Sequence, residues 1–282
     1  MEVSSTSQEY KNVAWLDKSH PNYIRWERAR KLSEERGRLV LSLLNQYQEI
    51  SNKKILDIGS GEGGTSSILS KSNLVISIDL SLLRLSRQKQ NYKTKNLVNC
   101  DAMNLPFRNN YFDIIILQDV IEHLYNYENF LKEIKKVLSE DGVIYLSTPN
   151  KLSIINFLSD PHWGLPTVSV LKRKTIRNIF LKYLRKSEVN RNDLAELLSL
   201  NEIRKYFSLE FEVYIQTNKV VKELFNGNTG IVWSNFHLSL IRILKRLSLH
   251  KLLISISNDN FGILNKYFTP TFYLVIKRKN LN

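Results

Sequence analysis

The chain has 282 residues, 43% of them hydrophobic, enough for a sizeable globular core in one decorated domain or two small ones. Its 41 basic and 27 acidic residues give a net charge of +14, and the single cysteine, Cys100, excludes an internal disulfide and suits a reducing compartment. No apolar run reaches bilayer length, and residues 1–6 lack the basic start and apolar core of a secretory signal, so a cytoplasmic location is expected.

Residues 1–12 are polar. Residues 15–36 are rich in arginine and aromatics and are expected to form a helical segment. Its Trp15, Tyr23 and Trp26 either flank a ligand crevice or simply fix the segment to the core. An amphipathic helix over 39–47 leads to Ile55-Leu56-Asp57-Ile58, a short buried strand. Gly59-Ser60-Gly61-Glu62-Gly63-Gly64 then permits a sharp turn, and Thr65, Ser66 and Ser67 open a helix whose free N–H groups point back at the turn. Residues 74–79 read as a second strand ending in Asp79, 81–95 as a helix with a basic outer face, and 99–102 as the close of a third strand. Cys100 there reads as a small buried filler. Residues 112–117 form the fourth strand and run into Gln118-Asp119-Val120-Ile121-Glu122-His123. A helix over 130–138 is expected to stop at Asp141-Gly142, before a fifth strand over 143–150.

After Asn150 come the turn Pro161-His162-Trp163-Gly164-Leu165-Pro166, basic helical stretches around 172–186 and a helix over 200–207. Strands six and seven are expected over 211–217 and 272–277, separated by a long, mostly helical insertion over 219–268. In an open parallel sheet the ligand crevice lies beyond the C-terminal strand ends, so 151–200 and 219–268 are the expected substrate cover.

The turn admits two ligand readings. Gly59-x-Gly61-x-x-Gly64 with Asp79 twenty positions on satisfies a dinucleotide fingerprint. Asp57, two residues before the first glycine, suits instead a ligand with a cation near the turn. Asp57-x-Gly59-x-Gly61-x-Gly63 resembles motif I of the class I S-adenosylmethionine-dependent methyltransferases, and the strand-end acids, the segment 118–123 and the Pro149-Asn150 exit resemble that family in order, over roughly residues 50–150. The resemblance implies an α/β fold: an open, mostly parallel seven-stranded Rossmann-like sheet with an antiparallel last strand and helical insertions. The expected division is an N-terminal helical segment over 1–50, a cofactor-binding core over 51–150, and substrate-covering insertions with the final strands over 151–282. The implied cofactor is S-adenosylmethionine. Its contacts are assigned to Asp57, Gly59, Ser60, Gly61, Gly63, Asp79, Leu80, Asp101, Ala102 and Gln118, with Asp79 on the ribose and Asp101 near the adenine amino group.

Methyl transfer to a hydroxyl needs alignment and benefits from a general base. His123 and His162 are the candidates, the latter grouped with Asp160 and Trp163 as base, acid and aromatic surface for a ring-shaped acceptor. Asp119, Glu122 and His123 resemble a cluster that holds a divalent cation in some quinone O-methyltransferases, but the commoner reading is a helix start without an ion, and no metal is expected. The Asn/Asp-Pro-Pro-aromatic box of DNA base-amino methyltransferases is absent after strand four, and so is a Pro-Cys pair for pyrimidine C5 chemistry. The 149–166 region resembles methyltransferases of cell-surface glycan assembly, which implies a sugar, a glycolipid or another small hydroxyl acceptor. Two other readings stay open: a tRNA methyltransferase using the basic second half, and a non-catalytic cofactor-binding subunit.

Charge is uneven. Residues 1–149 carry 20 basic and 18 acidic side chains, and residues 150–282 carry 21 and 9. The second half either attracts an acidic partner or reflects lysine-rich composition. Residues 236–256 read as a basic amphipathic helix that either lies on an anionic membrane beside a lipid-linked acceptor or packs on the domain, so a peripheral membrane location is a second expectation.

Overall fold

The computed structural model describes residues 14–20, 22–189, 194–228 and 235–279. Seven strands, β1 (Lys54–Ile58), β2 (Leu74–Asp79), β3 (Leu97–Asn99), β4 (Phe112–Gln118), β5 (Leu138–Pro149), β6 (Phe211–Ile215) and β7 (Thr271–Arg278), form one sheet in the order β3-β2-β1-β4-β5-β7-β6. The first five pair in parallel, and β7 runs antiparallel between β5 and β6, as expected for the fold.

The central strands are apolar on both faces because both are covered, as parallel sheets require. Leu56, Ile58, Ile115 and Leu117 pack with Phe130 and Ile134 of α5 (Tyr127–Val137) and with Ile203 and Phe207 of α7 (Leu200–Phe207). Ile55, Ile114, Ile116 and Tyr145 point the other way, onto Leu39, Val40, Leu43 and Leu44 of α2 (Ser33–Leu44). The remaining helices of the first half are α1 (Tyr23–Lys31), α3 (Gly64–Leu69) and α4 (Leu82–Tyr92), the last capped by Ser81, whose hydroxyl accepts from Arg84 N at 3.3 Å. Beyond β5 come α6 (Ile154–Leu158), α8 (Thr217–Phe225), α9 (Asn235–Arg246) and α10 (Leu249–Ile256).

Three expectations change. The helix before β5 ends at Val137, and Asp141-Gly142 lies inside the strand: Phe112 pairs with Leu138 and Ile114 with Val143, so residues 139–142 form an irregularity in the ladder, not a helix end. The sixth strand stops at Ile215 because α8 begins at Thr217. The helix read over 236–256 is two helices, broken where Ser248 takes a left-handed backbone at φ +58. No helix among the described residues is long and apolar enough to cross a membrane.

Helices α2 and α3 meet closely at Gly37, where an added Cβ would lie 2.9 Å from Thr65 Cα and 3.1 Å from Ile68 Cγ1. Gly37→Val should therefore push α3 and its preceding turn off the sheet. Overpacking of this kind costs about 1–3 kcal/mol, which urea unfolding with an unchanged m-value should register.

Candidate functional site

The turn between β1 and α3 is built on glycines in left-handed backbone, with Gly59, Gly61 and Gly63 at φ +66, +58 and +84. Gly61 is the informative one. A Cβ there would meet nothing within 4 Å, so the position opens on free space beside the strand ends. The Gly61 N–H donates to Asp79 Oδ2 at 3.0 Å, and Ser81 N donates to Asp79 Oδ1 at 2.8 Å, so the acid ending β2 is drawn against the turn.

Beneath it lies a buried polar network. Ser66 Oγ donates to Asp57 Oδ2 at 2.5 Å and lies 2.7 Å from Ser77 Oγ. Gln88, fully buried, donates to Ser77 Oγ at 2.9 Å and accepts from Ser60 Oγ at 2.9 Å. Burial pushes the Asp57 carboxyl up to about 7; the Ser66 hydrogen bond opposes this and the Asp79 charge adds to it. The other assigned residues stand at neighbouring strand ends. Leu80 is exposed at the lip, Asp101 Oδ1 accepts from Met103 N at 2.9 Å, Ala102 is buried, and Gln118 Oε1 accepts from Thr65 Oγ1 at 2.5 Å.

The N-terminal segment reaches this turn. Glu62 Oε1 lies 3.1 Å from Arg87 Nε and 3.8 Å from Arg30 Nε. The guanidinium groups of Arg30, Arg84 and Arg87 stand 5.4–5.7 Å from the Trp15 ring. Of the two readings of this segment, Trp15 thus fits the one that flanks the crevice. Arg36 donates to Asp119 Oδ2 at 2.6 Å, an ion pair that holds Asp119 in a left-handed backbone at φ +54 while Asp119 N donates to Ser147 O at 2.9 Å. Burial works against the Arg36 charge and the Asp119 carboxylate outweighs it.

A second cluster sits just past β4. Glu122 is fully buried. Thr148 Oγ1 donates to its Oε2 at 2.9 Å, and its Oε1 lies 3.9 Å from His162 Nε2. The rings of His123 and His162 stand edge to face with centroids 5.4 Å apart. Burial, reinforced by the Asp119 charge, pushes the Glu122 carboxyl up to about 8. One ligand atom from each of Glu122, His123 and His162 lies within 4.8 Å of the others, a set that could hold a divalent ion. His162 is positioned by its backbone: its N–H donates to Asp160 Oδ1 at 2.8 Å and its carbonyl accepts from Asn22 Nδ2 at 2.7 Å, while Arg25 donates to Asp160 O at 2.9 Å. Burial raises Asp160 to about 6.

The two histidines, read as rival bases, therefore stand together. The grouping of Asp160 and Trp163 with His162 as acid and aromatic wall does not survive. Asp160 is a buried turn cap that also accepts from Trp163 N, and Trp163 is buried against Phe180, edge to face at 5.6 Å, in a small core with Val168, Ile176 and Leu181. Asp119 belongs to Arg36, and His162 takes its place beside Glu122 and His123. No spacing in the chain links 122 to 162, and nothing in the 81–95 pattern marked Gln88 as the hub beneath the turn.

Residues 56–146 match the family described as "Methyltransferase domain". The chain is 32% identical over 145 residues to an uncharacterized protein of Methanocaldococcus jannaschii, covering 50% of this chain and 60% of that one. It is 30% identical over 107 residues to a ubiquinone biosynthesis O-methyltransferase of Pelagibacter ubique, covering 36% of this chain and 44% of that one. It thus spans 60% or less of the length of these curated relatives. Among solved structures, an S-adenosylmethionine-dependent methyltransferase from Mesorhizobium loti is similar in fold, with a TM-score of 0.51 at 13% identity over 96% of this chain and 100% of that one. Residues 56–146 thus carry a methyltransferase domain, and the sheet order around it is the one expected for the class I S-adenosylmethionine-dependent fold.

Proposed function

We propose that the protein transfers a methyl group from S-adenosylmethionine to a hydroxyl oxygen of a small acceptor, a sugar or a glycolipid-like molecule. The observation that carries this reading is the meeting of His162 with Glu122 and His123 past the end of β4, in the segment whose Val120 packs over Gly59 of the turn. The residues present fit the cofactor. Gly61 leaves space that any side chain would fill, and Asp79, anchored by two backbone N–H groups, keeps lone pairs suited to a ribose diol. When bound, S-adenosylmethionine supplies a methyl group made electrophilic by its sulfonium. The chain's residues contribute alignment, exclusion of water and proton removal. His162 takes the acceptor's hydroxyl proton, and Glu122, whose other oxygen accepts from Thr148, stands 3.9 Å from the imidazole Nε2 and helps to position the ring.

Within this reading the acceptor is carried on a lipid and the protein meets the membrane peripherally. The excess of basic over acidic residues in the second half supports this.

Calorimetry should show binding of S-adenosylmethionine and its demethylated product but not of NAD. Asp79→Ala should weaken that binding by about 2–3 kcal/mol; unchanged affinity would remove the assignment. Gly61→Val should abolish binding while the fold persists.

His162→Ala should lower turnover by about 10²–10⁴ with cofactor affinity intact. Loss of both would mark His162 as structural, and no loss would return the role to His123.

Glu122→Gln tests the buried carboxyl. Its folded pKa lies above the ordinary value of 4.5, so its protonated form stabilises the fold at low pH and that contribution is lost as pH rises through about 8. Stability of the natural chain should therefore fall between roughly pH 5 and 9, by more than about 1 kcal/mol, and the Gln variant should show a flatter profile. Asp57, raised in the same direction, leaves a residual slope in both.

A further inference from the structure

Among the described residues, 24 large apolar side chains are exposed, and 17 of them lie in two stretches, 152–184 and 243–268. Such crowding on a minor part of the chain marks an interaction surface, not the scatter of single apolar residues that every protein shows.

The first stretch and the C-terminal end of the second lie side by side. Asn156 Nδ2 donates to the Asn150 and Pro270 carbonyls at 2.9 and 2.6 Å, and Asn150 Nδ2 donates to the carbonyls of Lys266 and Thr269 at 3.0 and 2.8 Å. These bonds bind α6 to the segment entering β7. Thr167 N donates to Phe157 O at 2.7 Å, joining α6 to the segment that packs Val168 against Ile176, Phe180 and Leu181. With those three turned inward, Tyr183 and Leu184 point out, as do Ile155, Leu158, Ile263 and Phe268. Asn150 follows Pro149 at the C-terminal end of β5, so this face borders the crevice.

Its charge is one-sided. Residues 151–186 hold eight basic side chains and a single acid, Asp160, which is buried; residues 243–268 hold four basic side chains and Asp259. Thirteen of the seventeen exposed residues are aliphatic, which suits hydrocarbon and offers a nucleic-acid base little to stack on. Aliphatic side chains among cations match the interface of an anionic bilayer, where each basic group adds attraction and each inserted side chain adds burial.

We propose that this face docks on an anionic lipid bilayer, so that a lipid-borne acceptor meets the crevice from the membrane. The proposal rests on the reading of a lipid-linked acceptor, yet it is tested without turnover. The full chain is sedimented with vesicles of phosphatidylcholine alone and of an equal mixture with phosphatidylglycerol, at low and high salt. Binding to the mixed vesicles only, weakened by salt, is expected. Leu158→Glu with Leu184→Glu should weaken it at least about tenfold while calorimetry shows unchanged S-adenosylmethionine binding.

The proposal would be overturned by negligible binding to both vesicle types, equal binding to both, binding unaffected by the double variant, or a dimer on size exclusion that the double variant dissolves, which would make the face a contact between copies. RNA binding lost in the same variant would overturn it in favour of nucleic acid. Vesicle binding without methyl transfer to any hydroxyl acceptor would leave docking intact and remove the chemical reading instead.

Discussion

The fold's first half depends on a carboxyl that should be expensive to bury. Asp57 is the buried polar residue among the apolar Ile55, Leu56 and Ile58 of β1, and an unpartnered acid there would cost several kcal/mol. Ser66 meets it from α3, Ser77 meets Ser66 from β2, and Gln88 meets Ser77 from α4 while reaching Ser60 in the turn. One polar chain therefore fixes two strands, two helices and the glycine turn against one another. The turn keeps its shape because its underside has one arrangement in which every member is satisfied.

The same device recurs where the chain leaves β4 and β5. Arg36 pins Asp119 in a backbone conformation that side chains adopt reluctantly, Thr148 pins Glu122, and Asn150 binds carbonyls on the way into β7. Each loop at this edge is tied by a polar side chain, so Asp119, Glu122 and Asn150 stand on a frame and not on free loops. That is the rigidity alignment chemistry needs, since small misplacements of a base or acceptor cost rate steeply.

What was legible in the sequence follows from locality. Strand ends and the glycine turn carry their signals within a few residues, so Asp57, Asp79, Asp101 and Gln118 could be placed at the sheet's edge from pattern alone. The antiparallel β7 came from the family resemblance, and the ladder irregularity after Leu138 was hidden because Asp141-Gly142 has the look of a helix stop. The Glu122–His162 meeting was invisible for a different reason: it depends on where a forty-residue excursion lands, which Asn22 and Arg25 decide from the far end of the chain. Trp163 misled because a large aromatic beside a histidine reads equally as a substrate wall or as core, and only burial separates the two.

The uneven charge acquires a physical explanation at the turn. The cofactor half is rich in arginine yet nearly neutral, and its arginines are internal partners: Arg30 and Arg87 meet Glu62, Arg84 stands 4.0 Å from Asp79, and Arg36 meets Asp119. Three of them also face the Trp15 ring, so their fields are spent within a few ångströms. The acids left at the strand ends then set the local potential, which suits a ligand carrying a sulfonium. In the second half basic residues outnumber acids by more than two to one, so its net charge is strongly positive. The long-range field of the molecule is therefore set by the second half of the chain and not by the first. A negatively charged partner would be drawn to the acceptor side of the crevice, and the steering would weaken with salt because those charges are exposed.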